Sequence, residues 1–108
     1  PYYRLPEVFC GFTRRRDGGP VHYPVACNPQ AWAVGTMPLL IRAMLGISCQ
    51  GNEVHVSSPL LPPWVQEIRI LNLRAGEGKV GLEFTRKQGK TYCGVIQASG
   101  GARVIIKN

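Results

Sequence analysis

The spacing of hydrophobic residues changes along the chain at Gly46. From Ala31 to Leu45 apolar side chains occur at every turn of a helical projection, with only two polar side chains among them. After Gly46 apolar and polar residues alternate, as in "NEVHVSS", where Val54 and Val56 are separated by His55. The first pattern predicts a helix that is apolar on all sides, and the second predicts β-strands.

The expected helix spans residues 28–46. Asn28 is a suitable N-cap, Pro29 fits the first helical position, and Gly46 fits the C-terminal end. Pro38 and Arg42, together with the short length, argue against membrane insertion. A helix that is apolar all round is normally buried all round. We therefore expect another part of a larger protein, or a second copy of the chain, to cover it.

Residues 51–108 are expected to form a small antiparallel meander that packs through one face. In "QEIRILNLRAG" the alternation slips between Ile70 and Leu71, which predicts a bulge or a strand buried on both faces. Tight turns are expected at residues 87–89 and 99–101. On the strand before the first turn, three apolar residues share one face: Val80, Leu82 and Phe84.

The predicted fold class is α+β. An irregular loop over residues 1–27 precedes one buried helix over residues 28–46, and the antiparallel meander follows. The domain boundary is expected between residues 50 and 51. The 108 residues suffice for one domain with a modest core.

The chain is basic, with 13 Lys and Arg against 6 Asp and Glu and a net charge of +7. Such a charge attracts polyanions in general. Nucleic-acid binding is not favoured, because the chain has no basic helix and no aromatic residues interleaved with the basic ones. The only basic cluster, residues 14–16, is interpreted as a solvated loop.

The cysteines do not suggest a metal site, because none forms a Cys-x-x-Cys pair. They are expected to be free, mostly buried thiols in a reducing cytoplasm, and they are Cys10, Cys27, Cys49 and Cys93. No apolar run of the sequence is long enough to cross a bilayer, and we expect no secretory leader. We expect no metal, no cofactor and no membrane partner.

Two motifs resemble the C-terminal end of bacterial amylo-α-1,6-glucosidase-like proteins, which are relatives of glycogen debranching enzymes. They are "RLPEVFCGF" and "YPVACNPQAWAVGTMPLLIRAMLGI", and the later "LPPWVQEIRILNLRAGEGKVGLEF" is similar to the stretch that follows in the same proteins. The resemblance implies a parent glycoside hydrolase with an α/α toroid like that of mannosylglycerate hydrolases. It also implies that residues 28–46 form a toroid helix and that residues 4–27 line the sugar pocket. The implied substrate is an α-linked, glycogen-like glucan.

Glycoside hydrolysis usually needs two carboxyl groups, one on each side of the bond. Asp17 lies beside two glycines in an expected turn, and four glutamates look exposed: Glu53, Glu67, Glu77 and Glu83. Glu7 remains, between Pro6 and an apolar pair. Related toroid enzymes carry a general-base glutamate late in the chain, so by analogy Glu7 is the candidate general base. The alternative is a structural ion pair between Glu7 and Arg4. No residue of the chain is a credible general acid.

Further residues are candidates for substrate binding by the same resemblance: Arg4, Phe12, His22, Tyr23 and Trp32. For Trp32 a core position in the helix is the favoured interpretation. His55 is interpreted as a surface residue.

Three functional hypotheses follow. The favoured one is the C-terminal fragment of a glycoside hydrolase that is inactive alone and meets its α-glucan through the full-length parent. The alternatives are a free-standing carbohydrate-binding or assembly β module, and a basic nucleic-acid-binding domain.

Overall fold

The computed structural model describes residues 5, 11, 13, 17–19, 24–25 and 30–107. Of these residues 50% lie in strands and 16% in the helix, so the described chain is a small β-rich structure. The expected helix cap at residues 28 and 29 lies outside the described residues. The chain divides into two structural units, Pro1–Leu39 and Leu40–Asn108, and the boundary between them lies within the helix.

One helix and six strands follow each other in the described residues. The helix α1 spans Ala31–Met44. The strands are β1 (Ile47–Gln50), β2 (Glu53–Ser57), β3 (Glu67–Ala75), β4 (Gly78–Lys87), β5 (Lys90–Ser99) and β6 (Arg103–Lys107).

The strands form two three-stranded sheets with the orders β1-β2-β6 and β3-β4-β5. The second sheet is the expected antiparallel meander. However, β6 leaves that meander and pairs in parallel with β2, with Val54 opposite Val104. The prediction of one antiparallel meander over residues 51–108 is therefore wrong. A parallel pair needs a long connection, and here β3, β4 and β5 form that connection.

The predicted slip in β3 is confirmed as a bulge. The register with β4 shifts between Ile70 and Leu73, and Asn72 has a φ of 58°. A second register shift lies on the other side of β4, where Gly81 pairs with Gln97 and Leu82 with Val95. Both irregularities lie next to Gly81, and such bulges increase the local twist of a sheet.

The core lies in Leu40–Asn108 and combines side chains from both sheets. The predicted apolar face of β4 is confirmed, because Val80, Leu82 and Phe84 are all fully buried. The other buried members of the cluster are Leu45, Ile47, Val54, Val56, Leu61, Ala75 and Ala102. The core is therefore filled almost entirely by strands and by the segments that connect them.

The prediction of a buried toroid helix is wrong, and with it the α+β fold class. Only Ala33 of α1 is buried. Near its C-terminal end Ile41 and Met44 pack against the core, but the core is already filled by the sheets. The large apolar side chains of α1 that are exposed are Trp32, Val34, Met37, Leu39 and Leu40. No helix among the described residues is long and apolar enough to cross a membrane.

The expected end of the helix at Gly46 agrees with the structure. The Leu45 amide donates to the Ile41 carbonyl oxygen at 2.9 Å, and the Gly46 amide donates to the Ala43 carbonyl oxygen at 3.2 Å. Gly46 itself has a φ of 62°. Ser57 N–H donates to the Gly46 carbonyl oxygen at 3.0 Å. A Cβ at residue 46 would collide with the Ser57 carbonyl oxygen, so only glycine fits between helix and β2.

We predict that Gly46→Ala lowers the free energy of unfolding by more than the roughly 1–2 kcal/mol that a left-handed backbone costs an L-residue. The added collision with Ser57 is the reason for the excess. Gly51→Ala is the matched control, since Gly51 has a φ of 58° but open space around its Cβ direction. Urea unfolding of the variants measures the difference. Equal losses of unfolding free energy in the two variants would show that β2 leaves room for a side chain at Gly46.

Candidate functional site

Most of the predicted site residues lie outside the described residues. They are Glu7, Arg4, Phe12, His22 and Tyr23, so their roles in catalysis and substrate binding stay predictions. Trp32 is described and lies in the first turn of α1. Its side chain is 66% exposed, and Thr36 Oγ1 donates to its carbonyl oxygen at 2.7 Å. Trp32 is therefore not a core residue in this structure, and its indole is accessible.

Two of the described carboxylates share one arginine on the outer face of the β3-β4-β5 sheet. Arg69 Nε lies 2.8 Å from Glu67 Oε1 and 2.8 Å from Glu83 Oε1. The hydrogen bond to Glu83 and the charges of both glutamates raise the pKa of Arg69. Glu67 and Glu83 are thus both held by one guanidinium on an exposed sheet face, which is a structural arrangement.

A second ionic group lies on the face of the other sheet that points away from the core. Glu53 accepts from Arg103 Nη2 at 2.6 Å through one oxygen, and its other oxygen lies 3.2 Å from His55 Nε2. His55 is half-buried beside this carboxylate rather than freely exposed. The group links the neighbouring strands β2 and β6, which is a structural role.

The connection between β2 and β3 is here called the proline loop (residues 58–66). Its first half is fixed by three hydrogen bonds to other parts of Leu40–Asn108. Ser58 N–H donates to the Lys107 carbonyl oxygen at 3.0 Å, and Leu60 N–H donates to the Met44 carbonyl oxygen at 3.0 Å. Leu61 N–H donates to Thr91 Oγ1 at 2.9 Å, and the Leu61 side chain is buried in the core.

The second half of the proline loop is fixed in the same way. Val65 N–H donates to the Pro62 carbonyl oxygen at 2.9 Å and closes a turn around Pro63 and Trp64. Arg86 N–H then donates to the Gln66 carbonyl oxygen at 2.8 Å. Prolines restrict φ as well, so the loop has little conformational freedom left to lose when it binds a ligand.

An open depression of about 290 Å³ lies between the proline loop and the β4–β5 hairpin. Its surface is mostly apolar, and the residues around it are Met44, Leu60, Leu61, Pro62, Pro63, Arg86 and Gly89. This volume lies just below the usual range of small-molecule sites, about 300–1,000 Å³. The depression thus has room for one small ring or one side chain.

Two side chains give this region its chemical character. Trp64 directly follows the two prolines and is 82% exposed. Arg86 is half-buried in the wall of the depression, and no described residue forms a hydrogen bond or an ion pair with its guanidinium. The depression therefore combines an apolar surface with the donors of Arg86, whereas Trp64 is not among the residues around it.

Trp64 and Arg86 were not predicted from the sequence as site residues. One signal was present, since "SPLLPPW" combines a stiff proline segment with a tryptophan. The role of Arg86 depends on the pairing of β4 with β5 and on the bond between Arg86 and Gln66. No local pattern in the sequence reports that arrangement.

The two described cysteines, Cys49 and Cys93, are free. Cys49 is exposed and Cys93 is partly buried, so neither has the buried position expected from the sequence. Burial raises the pKa of the Cys93 thiol. Across residues 30–107 and the described positions before them, no three His, Cys, Asp or Glu side chains lie close enough together to hold a metal ion.

The chain has no significant match to any protein-family model, curated protein or solved structure.

We predict that iodoacetamide alkylates Cys49 faster than Cys93 at about pH 8. The thiolate is the reactive form, and the raised pKa of Cys93 leaves a smaller thiolate fraction at that pH. The Cys93 rate should keep rising as the pH passes the ordinary thiol value of about 8.5. Peptide mapping by mass spectrometry separates the two sites. Faster alkylation of Cys93 would contradict the partial burial of β5.

Proposed function

We propose that the chain is the C-terminal part of a glycoside hydrolase similar to amylo-α-1,6-glucosidases, which acts on α-glucosidic bonds of a glycogen-like glucan. The β-rich unit Leu40–Asn108 is not catalytic in this proposal. Glu7 is the general base, and the general acid comes from another part of the parent enzyme. The pair of motifs "RLPEVFCGF" and "YPVACNPQAW" is the observation that carries the proposal.

The exposed side of α1 supports a role within a larger protein. Trp32, Val34 and Met37 are each at least half exposed, together with Leu39 and Leu40. Soluble monomers rarely expose a contiguous apolar patch larger than a few hundred Å². A partner surface for α1, from the rest of the parent enzyme or from a second copy, would remove this patch from water.

The described carboxylates support the view that Leu40–Asn108 is not catalytic. Glu53, Glu67 and Glu83 are each engaged with an arginine. Glu77 is exposed in the turn between β3 and β4. An inverting glycosidase needs an acid and a base about 6.5–9.5 Å apart around a sugar pocket. Surface carboxylates that are paired with arginines are poorly suited to act as this acid or this base.

We predict that the 108-residue chain alone does not hydrolyse 4-nitrophenyl α-glucoside or release glucose from a limit dextrin. One candidate base without an acid partner cannot complete the reaction. Reducing-sugar and nitrophenol assays measure this outcome. Turnover by the purified chain that Glu7→Gln abolishes would contradict it, because the chain would then contain an acid.

In the parent enzyme we predict that Glu7→Gln lowers kcat by about 10²–10⁴-fold, the usual contribution of a general base. The amide keeps the shape of the pocket, so the melting temperature and substrate binding should change little. Glu77→Gln is the control, because Glu77 lies in an exposed turn.

The alternative role of Glu7 has a different outcome. If Glu7 only pairs with Arg4, Glu7→Gln and Arg4→Met should lower the melting temperature similarly and leave turnover near normal. A parent enzyme that releases no glucose from any α-glucan would overturn the proposed function itself.

A further inference from the structure

We propose that the depression between the proline loop and the β4–β5 hairpin is a binding site for a small apolar carboxylate. The apolar body of the ligand fills the depression, and its carboxylate pairs with the Arg86 guanidinium. The proposal rests only on residues that line the depression, so it is independent of the proposed hydrolase function.

Arg86 leaves β4 on the side of the core. The buried face of β4 ends at Phe84, and Arg86 is the next residue of the same alternation. Across the hairpin Arg86 is paired with Thr91, whose hydroxyl accepts a hydrogen bond from the Leu61 amide of the proline loop at 2.9 Å. The Arg86 side chain therefore lies on the side of the sheet that the proline loop covers, and there it lines the depression.

Arg86 differs from the other described cations in its burial. Every other described lysine and arginine is exposed, whereas Arg86 is half-buried. Among the described residues no carboxylate forms an ion pair with its guanidinium, although the exposed Arg69 and Arg103 have such partners at 2.8 and 2.6 Å. A charge that is partly removed from water is costly unless an opposite charge compensates for it. An anionic ligand at Arg86 would supply this compensation.

The rest of the depression is apolar. Six further residues line it, and none of them has a charged side chain: Met44, Leu60, Leu61, Pro62, Pro63 and Gly89. The volume of about 290 Å³ has room for one small ring. An apolar surface of this size beside a single cation matches a ligand that combines an apolar body with one negative charge.

A carboxylate fits this position better than a phosphate group. It carries one negative charge and can form two parallel hydrogen bonds with one guanidinium. A phosphate monoester carries about −1.5 to −2 charges and three acceptor oxygens, which one guanidinium satisfies only in part. Lys87 and Lys90 pair with each other across the hairpin on the alternate face, and neither lines the depression.

Backbone hydrogen bonds hold the walls of the depression together. The Leu60 amide joins the proline loop to the Met44 carbonyl oxygen at 3.0 Å, and the Arg86 amide joins β4 to the Gln66 carbonyl oxygen at 2.8 Å. Leu61 anchors the loop in the core. A site with ordered walls loses less conformational entropy when it binds a ligand.

The test is a titration of the 108-residue chain with 3-phenylpropionate, followed through backbone amide signals in a nitrogen–proton correlation spectrum. We expect shifts of the amide signals of residues that line the depression, namely Met44, Leu60, Leu61 and Gly89. Neutral 3-phenylpropanamide lacks the charge, and acetate lacks the apolar body. Each should bind at least about tenfold more weakly than 3-phenylpropionate.

Arg86→Met removes the guanidinium and keeps an apolar stem, so we expect it to weaken 3-phenylpropionate binding at least about tenfold. Arg74→Met is the matched control and should leave binding unchanged. Arg74 is exposed, has no described carboxylate partner and lies outside the depression. The melting temperature of Arg86→Met should not fall, because the substitution removes a partly buried charge that has no described partner.

The same measurements can contradict the proposal. Equal binding of 3-phenylpropionate and 3-phenylpropanamide would overturn the pairing with Arg86, and equal binding of acetate would overturn the role of the apolar surface. A lower melting temperature of Arg86→Met would show that its guanidinium already has a partner in the chain, which would overturn the site. The peptide Gly-Gly-Phe carries the same groups at its C-terminus. Its binding at least tenfold tighter than 3-phenylpropionate would overturn the assignment to a free small molecule.

Discussion

The parallel pairing of β2 with β6 is the constraint on which the rest of the fold depends. It joins the two ends of Leu40–Asn108, and the hydrogen bond from Arg103 N–H to the Asn52 carbonyl oxygen, 2.9 Å long, begins it. The exposed ion pair between Arg103 and Glu53 contributes at most about 1 kcal/mol. Val54 and Val56 are fully buried in β2 and each contribute roughly 1.5–3 kcal/mol. Burial of β2, rather than the charge pair, therefore holds β6 in place and encloses the core.

Prediction from the sequence was most successful within single strands, where the alternation of apolar and polar residues indicates which side chains face the core. The alternation in β2, the buried face of β4 and the bulge after Ile70 all follow from local spacing, and each agrees with the structure. The two expected tight turns lie at their predicted positions, with Gln88 and Gly89 between β4 and β5 and with Gly100 and Gly101 between β5 and β6. The departure of β6 from the meander could not be predicted in this way. Burial does not alternate along β6, where the neighbouring residues Val104 and Ile105 are both partly buried, so the pattern of this strand does not specify its partner.

The candidate site, too, could be predicted from the sequence only where local patterns determine the structure. Prolines fix a backbone wherever they occur, so a stiff segment before Trp64 was predictable from "SPLLPPW". Whether a tryptophan packs inward or faces water depends on what lies across the loop. Here Leu61 fills the core position and leaves Trp64 exposed. Arg86 lines the depression because two hydrogen bonds hold β4 and β5 beside the loop, one from Leu61 to Thr91 and one from Arg86 to Gln66.

The helix shows why an apolar pattern is a weaker guide than an alternating one. An alternating strand specifies which side chains face the core, and its neighbours complete the core. A helix that is apolar on all sides indicates only that a large apolar surface must be buried. It does not indicate which part of the protein, or which partner, buries that surface. In Leu40–Asn108 the sheets fill their own core, so only Ile41 and Met44 of the helix find places against it. Leu40, in the same unit, stays 55% exposed, because the buried side chains of the core come from the strands and their connections. An apolar pattern therefore indicates how much surface needs cover, whereas an alternating pattern also indicates which side chains provide that cover.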